Sequence, residues 1–197
     1  MKEQLQKDFD NTIKNLSLSQ KDIEIKKFSL DNFINKGFPN RREEDWKFSD
    51  LNQIINKNIG ELSFYNDYTS TNKVDTSVFV DGLVHNKIVF INGRIEKIDF
   101  DYEKKDQIEI IDQSEIINKF ENNNSLSDLN SAFTNKSFKI VVKKGYQLSK
   151  PLIIYHTTNS KIWSKNINLR LDFELQEDSS LRSVSYTHLR AHETKPN

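Results

Sequence analysis

The sequence has no cysteine, only five glycines and no net charge, and each of these absences excludes a class of function. Without cysteine, the chain has no disulfide framework, no thiolate nucleophile and no cysteine-ligated zinc or iron–sulfur centre of its own. The glycines form neither G-x-G-x-x-G nor G-x-x-x-x-G-K-[ST], so a glycine-rich phosphate cradle is not predicted. Lysine plus arginine and aspartate plus glutamate balance at 29 each, which provides no field to attract nucleic acid or an anionic membrane.

Long apolar runs are missing as well. No stretch approaches the length of a membrane span, and the first residues lack the continuous apolar region of a secretory signal. We therefore expect a cytoplasmic protein with neither a membrane nor a nucleic acid as partner. The chain does contain 13 phenylalanines among its 197 residues, which is enough aromatic surface to build a packed core.

The pattern of apolar residues divides the chain into an opening helical part, a mixed part, a strand-rich part and a tail. In the helical part, one helix opens the chain, a second runs from an N-cap at Ser29 to a C-cap at Gly37, and a third begins at Ser49 or Asp50. The predicted segments are a helical domain over 1–60, a linker with a β-hairpin and short helices over 61–136, the start of the core over 137–182, and a tail over 183–197. The tail has no strand period and is similar to translated adaptor sequence, so we expect it to be non-native.

The mixed part contains the strongest local signal, Asn92-Gly93, which predicts a hairpin because both residues tolerate the positive φ of a tight turn. A strand is expected over 77–80. Helices are expected over 114–122 and from Ser125, where an S-x-x-D pattern suggests a cap. The strand-rich part predicts strands over 138–142, 151–157 and 167–175. Periodicity alone leaves a sandwich, a barrel and a solenoid open.

Candidates for chemistry are few. The four histidines are the first to consider. His85 is expected to be a solvated loop residue, and His156 a half-buried packing residue at a strand end. His188 and His192 have the i, i+4 spacing of helical metal ligands, but no third ligand is suitably placed. No G-x-S-x-G elbow occurs and the acidic runs suit solvated turns, so we expect no enzyme and no catalytic, cofactor or metal residue.

The segment GFPNRREEDWKFSDL, residues 37–51, combines a helix-ending glycine, a proline-directed turn, mixed charge and two aromatic residues. Considered alone, it predicts a corner between helices in which Trp46 anchors a polar turn to the core. The segment resembles the signature near the start of SufD-type proteins, which belong to the SufBCD complex of iron–sulfur cluster assembly. The matching residues are Gly37, Phe38, Pro39, Arg41, Arg42, Glu43, Trp46, Lys47, Phe48, Ser49 and Leu51.

Later segments, IVFINGRIEKI at 88–98, the stretch 129–158 and LRLDFELQEDSSL at 169–181, resemble the same family, so the resemblance covers about residues 20–182. It implies an α+β fold, in which an N-terminal helical domain precedes the first rungs of a right-handed parallel β-helix, truncated in this chain.

The implied function is a non-catalytic scaffold subunit, here expected to be an N-terminal fragment. The resemblance implies a SufB-like partner and a SufC-like ABC ATPase, the latter bound through a C-terminal domain that this chain is expected to lack. It implies no cofactor in this chain, because the parent complex handles the iron–sulfur cluster. A generic α+β protein-interaction module is the alternative. A β-solenoid carbohydrate-active protein is a weaker one, because it needs a cluster of acidic residues or arginines on one strand face.

Overall fold

A computed structural model describes residues 2–14, 16, 18–58, 62–65, 73–113, 124–158, 162 and 165–188. The helices in this part of the chain are α1 Lys2–Lys14, α2 Gln20–Lys36, α3 Leu51–Asn58 and α4 Ser125–Phe133. The strands are β1 Asn86–Ile91, β2 Arg94–Asp99, β3 Ile108–Gln113, β4 Lys136–Val142, β5 Leu152–Thr157, β6 Leu169–Leu175 and β7 Ser183–His188. None of these helices is long and apolar enough to cross a membrane.

One compact unit is mainly helical and comprises Met1–Asn66, Gln113–Ser137 and Ser164–Arg170. Its core is rich in phenylalanine, as the composition predicts. The ring of Phe133 in α4 is the centre of an aromatic group, since Phe9 of α1 meets it edge-on with ring centroids 6.1 Å apart and Phe64 stacks on it at 3.5 Å. The buried members of this core are Leu5, Phe9, Leu30, Phe33, Phe38, Phe64, Leu129, Ala132 and Phe133.

Helix α2 starts earlier than the sequence suggested. The hydroxyl of Ser19 accepts a hydrogen bond from the Asp22 N–H at 3.2 Å, and the Asp22 carboxylate accepts from the Ser19 N–H at 3.3 Å. This reciprocal capping box begins the helix ten residues before the predicted cap at Ser29. The Ser29 prediction is therefore wrong, and that residue lies buried inside the helix.

The end of α2 and the start of α3 are confirmed. Gly37 has a φ of 74°, which favours glycine, and its N–H donates to the Phe33 carbonyl at 2.7 Å. Helix α3 follows Asp50, whose Oδ1 accepts from the Gln53 N–H at 3.0 Å.

Two other local predictions are wrong for the same reason: the side chain of an aspartate or asparagine accepts a hydrogen bond from the backbone two residues further on. Asp75 Oδ1 accepts from the Ser77 N–H at 3.0 Å and turns Thr76–Val78 into a single 3₁₀ turn, where a strand over 77–80 was expected. Asn124, and not Ser125, caps α4 by accepting from the Leu126 N–H at 2.9 Å. The helix expected over 114–122 lies outside the described residues.

The second compact unit contains most of the strands and comprises Asp67–Asp112, Phe138–Trp163 and Leu171–Asn197. A four-stranded sheet has the order β2-β1-β5-β7, and a three-stranded sheet has the order β3-β4-β6. The hairpin of β1 and β2 is confirmed: the strands are antiparallel, and Asn92 and Gly93 have φ values of 51° and 81°. Strands β1, β5 and β7 run parallel, so Val89, Tyr155 and Tyr186 form one row across the sheet.

The prediction of a right-handed parallel β-helix is wrong, although the protein is α+β. Within the part of the chain described, the strands form two mixed sheets of four and three strands and no solenoid. In a solenoid, each strand pairs in parallel with its equivalents in the neighbouring repeats. Here the tight Asn92-Gly93 turn returns the chain beside β1, so that β1 has an antiparallel neighbour on one side and a parallel one on the other.

Strands β3 and β7 were not predicted. Strand β7 lies in the tail for which no strand period was expected, yet its residues pair in register with β5 from Leu152↔Ser183 to Thr157↔His188. Whether residues 183–197 are native stays a prediction, since strand pairing does not bear on their origin.

Candidate functional site

The segment that carries the family resemblance, Gly37–Leu51, forms a surface corner between α2 and α3, which we call the charged corner. Phe38 holds it to the helical core: its side chain is only 5% exposed, and its ring meets Phe33 edge-on with centroids 5.0 Å apart. Pro39 is also buried, and Leu51 packs against the same core at the far end. The corner is therefore anchored at its two ends.

Trp46 does not anchor the corner, and that prediction is wrong. Trp46 ends the 3₁₀ turn Glu44–Trp46, which has no buried residue, and it is not a member of the helical core. The residue that packs is Phe38, which follows directly on the Gly37 cap and contacts Phe33 in the last turn of α2.

The outer side of the charged corner faces solvent. Phe48 is 88% exposed, and the Lys47 ammonium lies 5.0 Å from the centre of its ring. Internal hydrogen bonds hold the turn, since Glu43 Oε1 accepts from the Asn40 N–H at 3.2 Å and Asn40 Oδ1 accepts from the Arg42 N–H at 3.0 Å. The exposed charged side chains are Arg41, Arg42, Glu43, Glu44, Asp45 and Lys47. An exposed aromatic ring among charges of both signs is suited to contact with another protein surface.

We expect Gly37→Ala to lower the free energy of unfolding by about 1–2 kcal/mol, because a side chain disfavours this backbone conformation. Gly37 has φ 74° and ψ −167°, and a β-carbon built there meets nothing within 4 Å, so backbone strain is the whole effect. Urea denaturation followed by circular dichroism measures the change. Asn35→Ala on the exposed side of the same helix is the control, and an equal loss in both variants contradicts the assignment of Gly37 as the cap.

Within the described residues, no group of three or more histidine or acidic side chains is placed to hold a metal. His156 is half-buried in β5 and stacks on Phe90 with centroids 5.3 Å apart, as predicted for a packing residue, and its burial lowers its pKa. His85 is only 3% exposed, so the expectation of a solvated loop residue is wrong. His188 ends β7, and His192 lies outside the described residues.

Two charged residues that the sequence did not point to are centres of buried hydrogen bonding. Glu103, in the loop after β2, accepts from Asn86 Nδ2 at 2.8 Å, the Tyr146 hydroxyl at 2.7 Å and the Lys150 N–H at 3.0 Å. Ser149 adds two further donors, its N–H and its hydroxyl, each 3.1 Å from the carboxylate.

Burial by itself raises the pKa of Glu103, but the hydrogen bonds from Asn86, Tyr146, Ser149 and Lys150 outweigh it and lower that pKa to about 2. The carboxylate is thus held as an anion by donors from the loop 146–150 and from the start of β1. Because hydrogen bonds from within the protein occupy this carboxylate, we assign Glu103 a structural role.

Lys26 of α2 is the second such centre. Its ammonium donates to the Ser131 carbonyl at 3.2 Å and to the Thr134 carbonyl, both at the C-terminal end of α4. Burial lowers the pKa of Lys26 to about 8, although the nearby Asp22 raises it. Like Glu103, this residue joins distant parts of the chain, since its partners lie 105 and 108 positions away. No signal within a sequence window is able to reveal such partners.

Comparison with known protein families and curated proteins identified no relative of this chain. No protein-family model matches this sequence, and no curated protein matches it significantly. Any assignment of function therefore rests on the chain's own residues, and above all on the charged corner.

Proposed function

We propose that this protein is a non-catalytic scaffold subunit similar to SufD, which acts in cytoplasmic iron–sulfur cluster assembly with a SufB-like subunit and a SufC-like ABC ATPase. The observation that carries the proposal is the segment Gly37–Leu51, whose order of residues resembles the SufD-type signature. The later segments 88–98, 129–158 and 169–181 support it in the same order along the chain.

The geometry of the charged corner supports a role in assembly. Fold requirements explain four of its residues, since Gly37 caps α2, Phe38 and Leu51 contact the core, and Pro39 is buried. Packing does not explain Phe48, whose ring is almost fully in solvent. Covering a large apolar ring removes it from water and contributes favourably to association, so we place a partner surface at Phe48 and the charged residues beside it.

The proposal is tested with the protein tagged at its own locus and purified at its native expression level. Mass spectrometry is expected to find the SufB-like and SufC-like proteins of the same cell in stoichiometric amounts. If neither accompanies the tagged protein, the scaffold function is wrong, and the generic interaction module becomes the better description.

Phe48→Ser is expected to lower recovery of the SufB-like subunit by about tenfold, since exposed aromatic residues at interfaces contribute on the order of 1–2 kcal/mol or more. Phe28→Ser is the matched control, because Phe28 is also a largely exposed phenylalanine, 67% in solvent, on helix α2. Partner recovery that is equal in the two variants places the interface elsewhere, and the scaffold function is then decided by the purification of the tagged wild type described above.

A further inference from the structure

A buried tyrosine joins two parts of the segment that precedes β1. The Tyr155 side chain in β5 is fully buried, and its hydroxyl accepts from the Val80 N–H at 3.0 Å. The same hydroxyl lies 2.8 Å from Nε2 of His85. The ring of Phe79 packs on the Tyr155 ring with centroids 4.9 Å apart. We call residues 79–85 the strap, because Tyr155 contacts it at both ends.

The partners of His85 settle which ring nitrogen carries the proton. Nδ1 lies 2.6 Å from the Leu83 carbonyl, and a carbonyl oxygen only accepts, so Nδ1 is the protonated nitrogen. In neutral histidine Nε2 then has a lone pair, and it accepts the Tyr155 O–H. Every polar atom of this clasp is satisfied when the imidazole is neutral, because the tyrosine hydroxyl donates to His85 and accepts from Val80.

Protonation of His85 breaks this arrangement. With a hydrogen on Nε2, the Tyr155 oxygen faces two donors, His85 and the Val80 N–H, while its own hydrogen loses its acceptor. The added charge also lies in a buried site, where an ion without a counter-ion is costly. The hydrogen-bonding partners of His85 within the described residues include no carboxylate.

The charged groups around the clasp do not compensate for that charge. Lys87 of β1 donates to the His85 carbonyl at 3.2 Å, and Lys87 and Lys97 lie 6.0 and 5.9 Å from the centre of the Phe79 ring. Asp99 of β2 pairs with these two lysines, at 3.5 and 3.7 Å. From β7, the ring of Tyr186 packs edge-on against that of Tyr155.

The strap exposes Asp81 and part of three apolar side chains, since Val80, Leu83 and Val84 are 37%, 48% and 49% exposed. Within the described residues, the strap is joined to β5 by the bonds of Tyr155 to Val80 and His85 and by the Phe79 ring, so we expect loss of the clasp to loosen the strap. We propose that the strap is a pH-sensitive element, which the His85–Tyr155 clasp keeps closed at neutral pH and which protonation of His85 releases.

The test follows the Val80 amide of the full chain by NMR. Its protection factor against hydrogen exchange, normalised to that of the Ile154 amide in β5, is expected to fall about tenfold between pH 7.5 and pH 5.5, as the loss of one hydrogen bond predicts. In the wild type, the Val80 amide shift and the His85 ring shifts are expected to titrate with one common midpoint. If the Val80 amide shift and the His85 ring shifts have different midpoints in the wild type, the proposal is wrong, and no variant is needed to show it.

Three substitutions complete the test. His85→Gln is expected to abolish the fall in Val80 protection, and Tyr155→Phe to leave Val80 unprotected at both pH values. His156→Gln is the matched control, since His156 is the neighbouring histidine on β5 and lies on the opposite face from Tyr155; here the fall is expected to remain. A fall that persists in His85→Gln, or one that disappears in His156→Gln, overturns the proposal.

Discussion

Glu103→Ala is expected to lower the free energy of unfolding by about 3 kcal/mol at pH 7, because it leaves several buried donors without an acceptor. Glu103 is only 9% exposed, and its carboxylate accepts from Asn86, Tyr146, Ser149 and Lys150. These donors come from the start of β1 and from the loop between β4 and β5, so the loss loosens the connection between those elements. Urea denaturation at pH 7, followed by circular dichroism, measures the change.

The pH dependence of stability distinguishes the effect of the negative charge of Glu103 from the effect of its size. The folded protein lowers the pKa of Glu103 from 4.5 to about 2, so the stabilisation is present above pH 4.5 and is lost as the pH falls towards 2. By proton linkage, the ionisation of Glu103 contributes about 3 kcal/mol to the free energy of unfolding at pH 7, about 1.4 kcal/mol at pH 3 and less than about 0.5 kcal/mol at pH 2. The stability difference between wild type and Glu103→Gln is expected to shrink along that curve.

Glu109→Gln is the control for the acid titration, because Glu109 is an exposed carboxylate on β3. It is expected to change the stability by less than about 0.5 kcal/mol at any pH. A difference between wild type and Glu103→Gln that is the same at pH 7 and pH 3 shows that the ionised form of Glu103 has no special stabilisation.

Features that depend on a few neighbouring residues could be predicted from the sequence. The Asn92-Gly93 hairpin and the Gly37 cap follow from backbone preference, and each is where it was expected. Local prediction was wrong where a nearby side chain competed for the backbone, as Asp75 does in the 3₁₀ turn before β1. In both cases the residues that decide the local structure lie within a few positions of it.

Features that depend on distant partners could not be predicted. The parallel pairing of β1 with β5, which builds the four-stranded mixed sheet, joins segments that are separated in the chain by β2, β3, α4 and β4. His85 appeared to be a solvated loop residue because Gly82 is near it in sequence, but Tyr155, 70 positions away, buries and bonds it. The apolar pattern of a strand predicts that the strand is buried, but it does not predict which strand will pair with it.

The charged corner shows the same limit for function. Its sequence supports a resemblance to SufD, and its exposed Phe48 is a structural fact that the resemblance did not contain. The sequence interpretation assigned the anchoring role to Trp46, because a large aromatic residue in a polar turn is usually the one that packs. The structure assigns it to Phe38, whereas the ring of Phe48 lies in solvent.

Lys26→Met is expected to have a stability close to that of the wild type at pH 7 and to be less stable by about 2–3 kcal/mol at pH 10 to 10.5. The lysine, 1% exposed, donates to the Ser131 and Thr134 carbonyls and so satisfies the C-terminal end of α4. Methionine keeps the apolar stem and removes these hydrogen bonds, but it also removes the cost of burying a charge. The two effects are opposite in sign and of similar size at neutral pH.

The sign of the pH effect follows from the pKa of Lys26, which burial lowers from 10.5 to about 8. Between these values the unfolded chain binds a proton that the folded chain does not, so the stability of the wild type rises with pH. Linkage predicts that the free energy of unfolding of the wild type rises by about 3 kcal/mol between pH 7 and pH 10.5. The neutral amine still donates hydrogen bonds to the carbonyls of α4 over this range. Methionine does not titrate, and the gain is absent from the variant.

Lys27→Met is the matched control, because Lys27 is the next residue of α2 and is exposed. Tyrosines and the remaining lysines titrate in the same alkaline range, but they do so equally in both variants, and the difference between the variants therefore isolates Lys26. Parallel stability curves for Lys26→Met and Lys27→Met from pH 7 to 10.5 contradict the prediction. Curves that meet near neutral pH and separate in alkali show that α2 is joined to α4 through a lysine whose charge opposes the fold and whose hydrogen bonds support it.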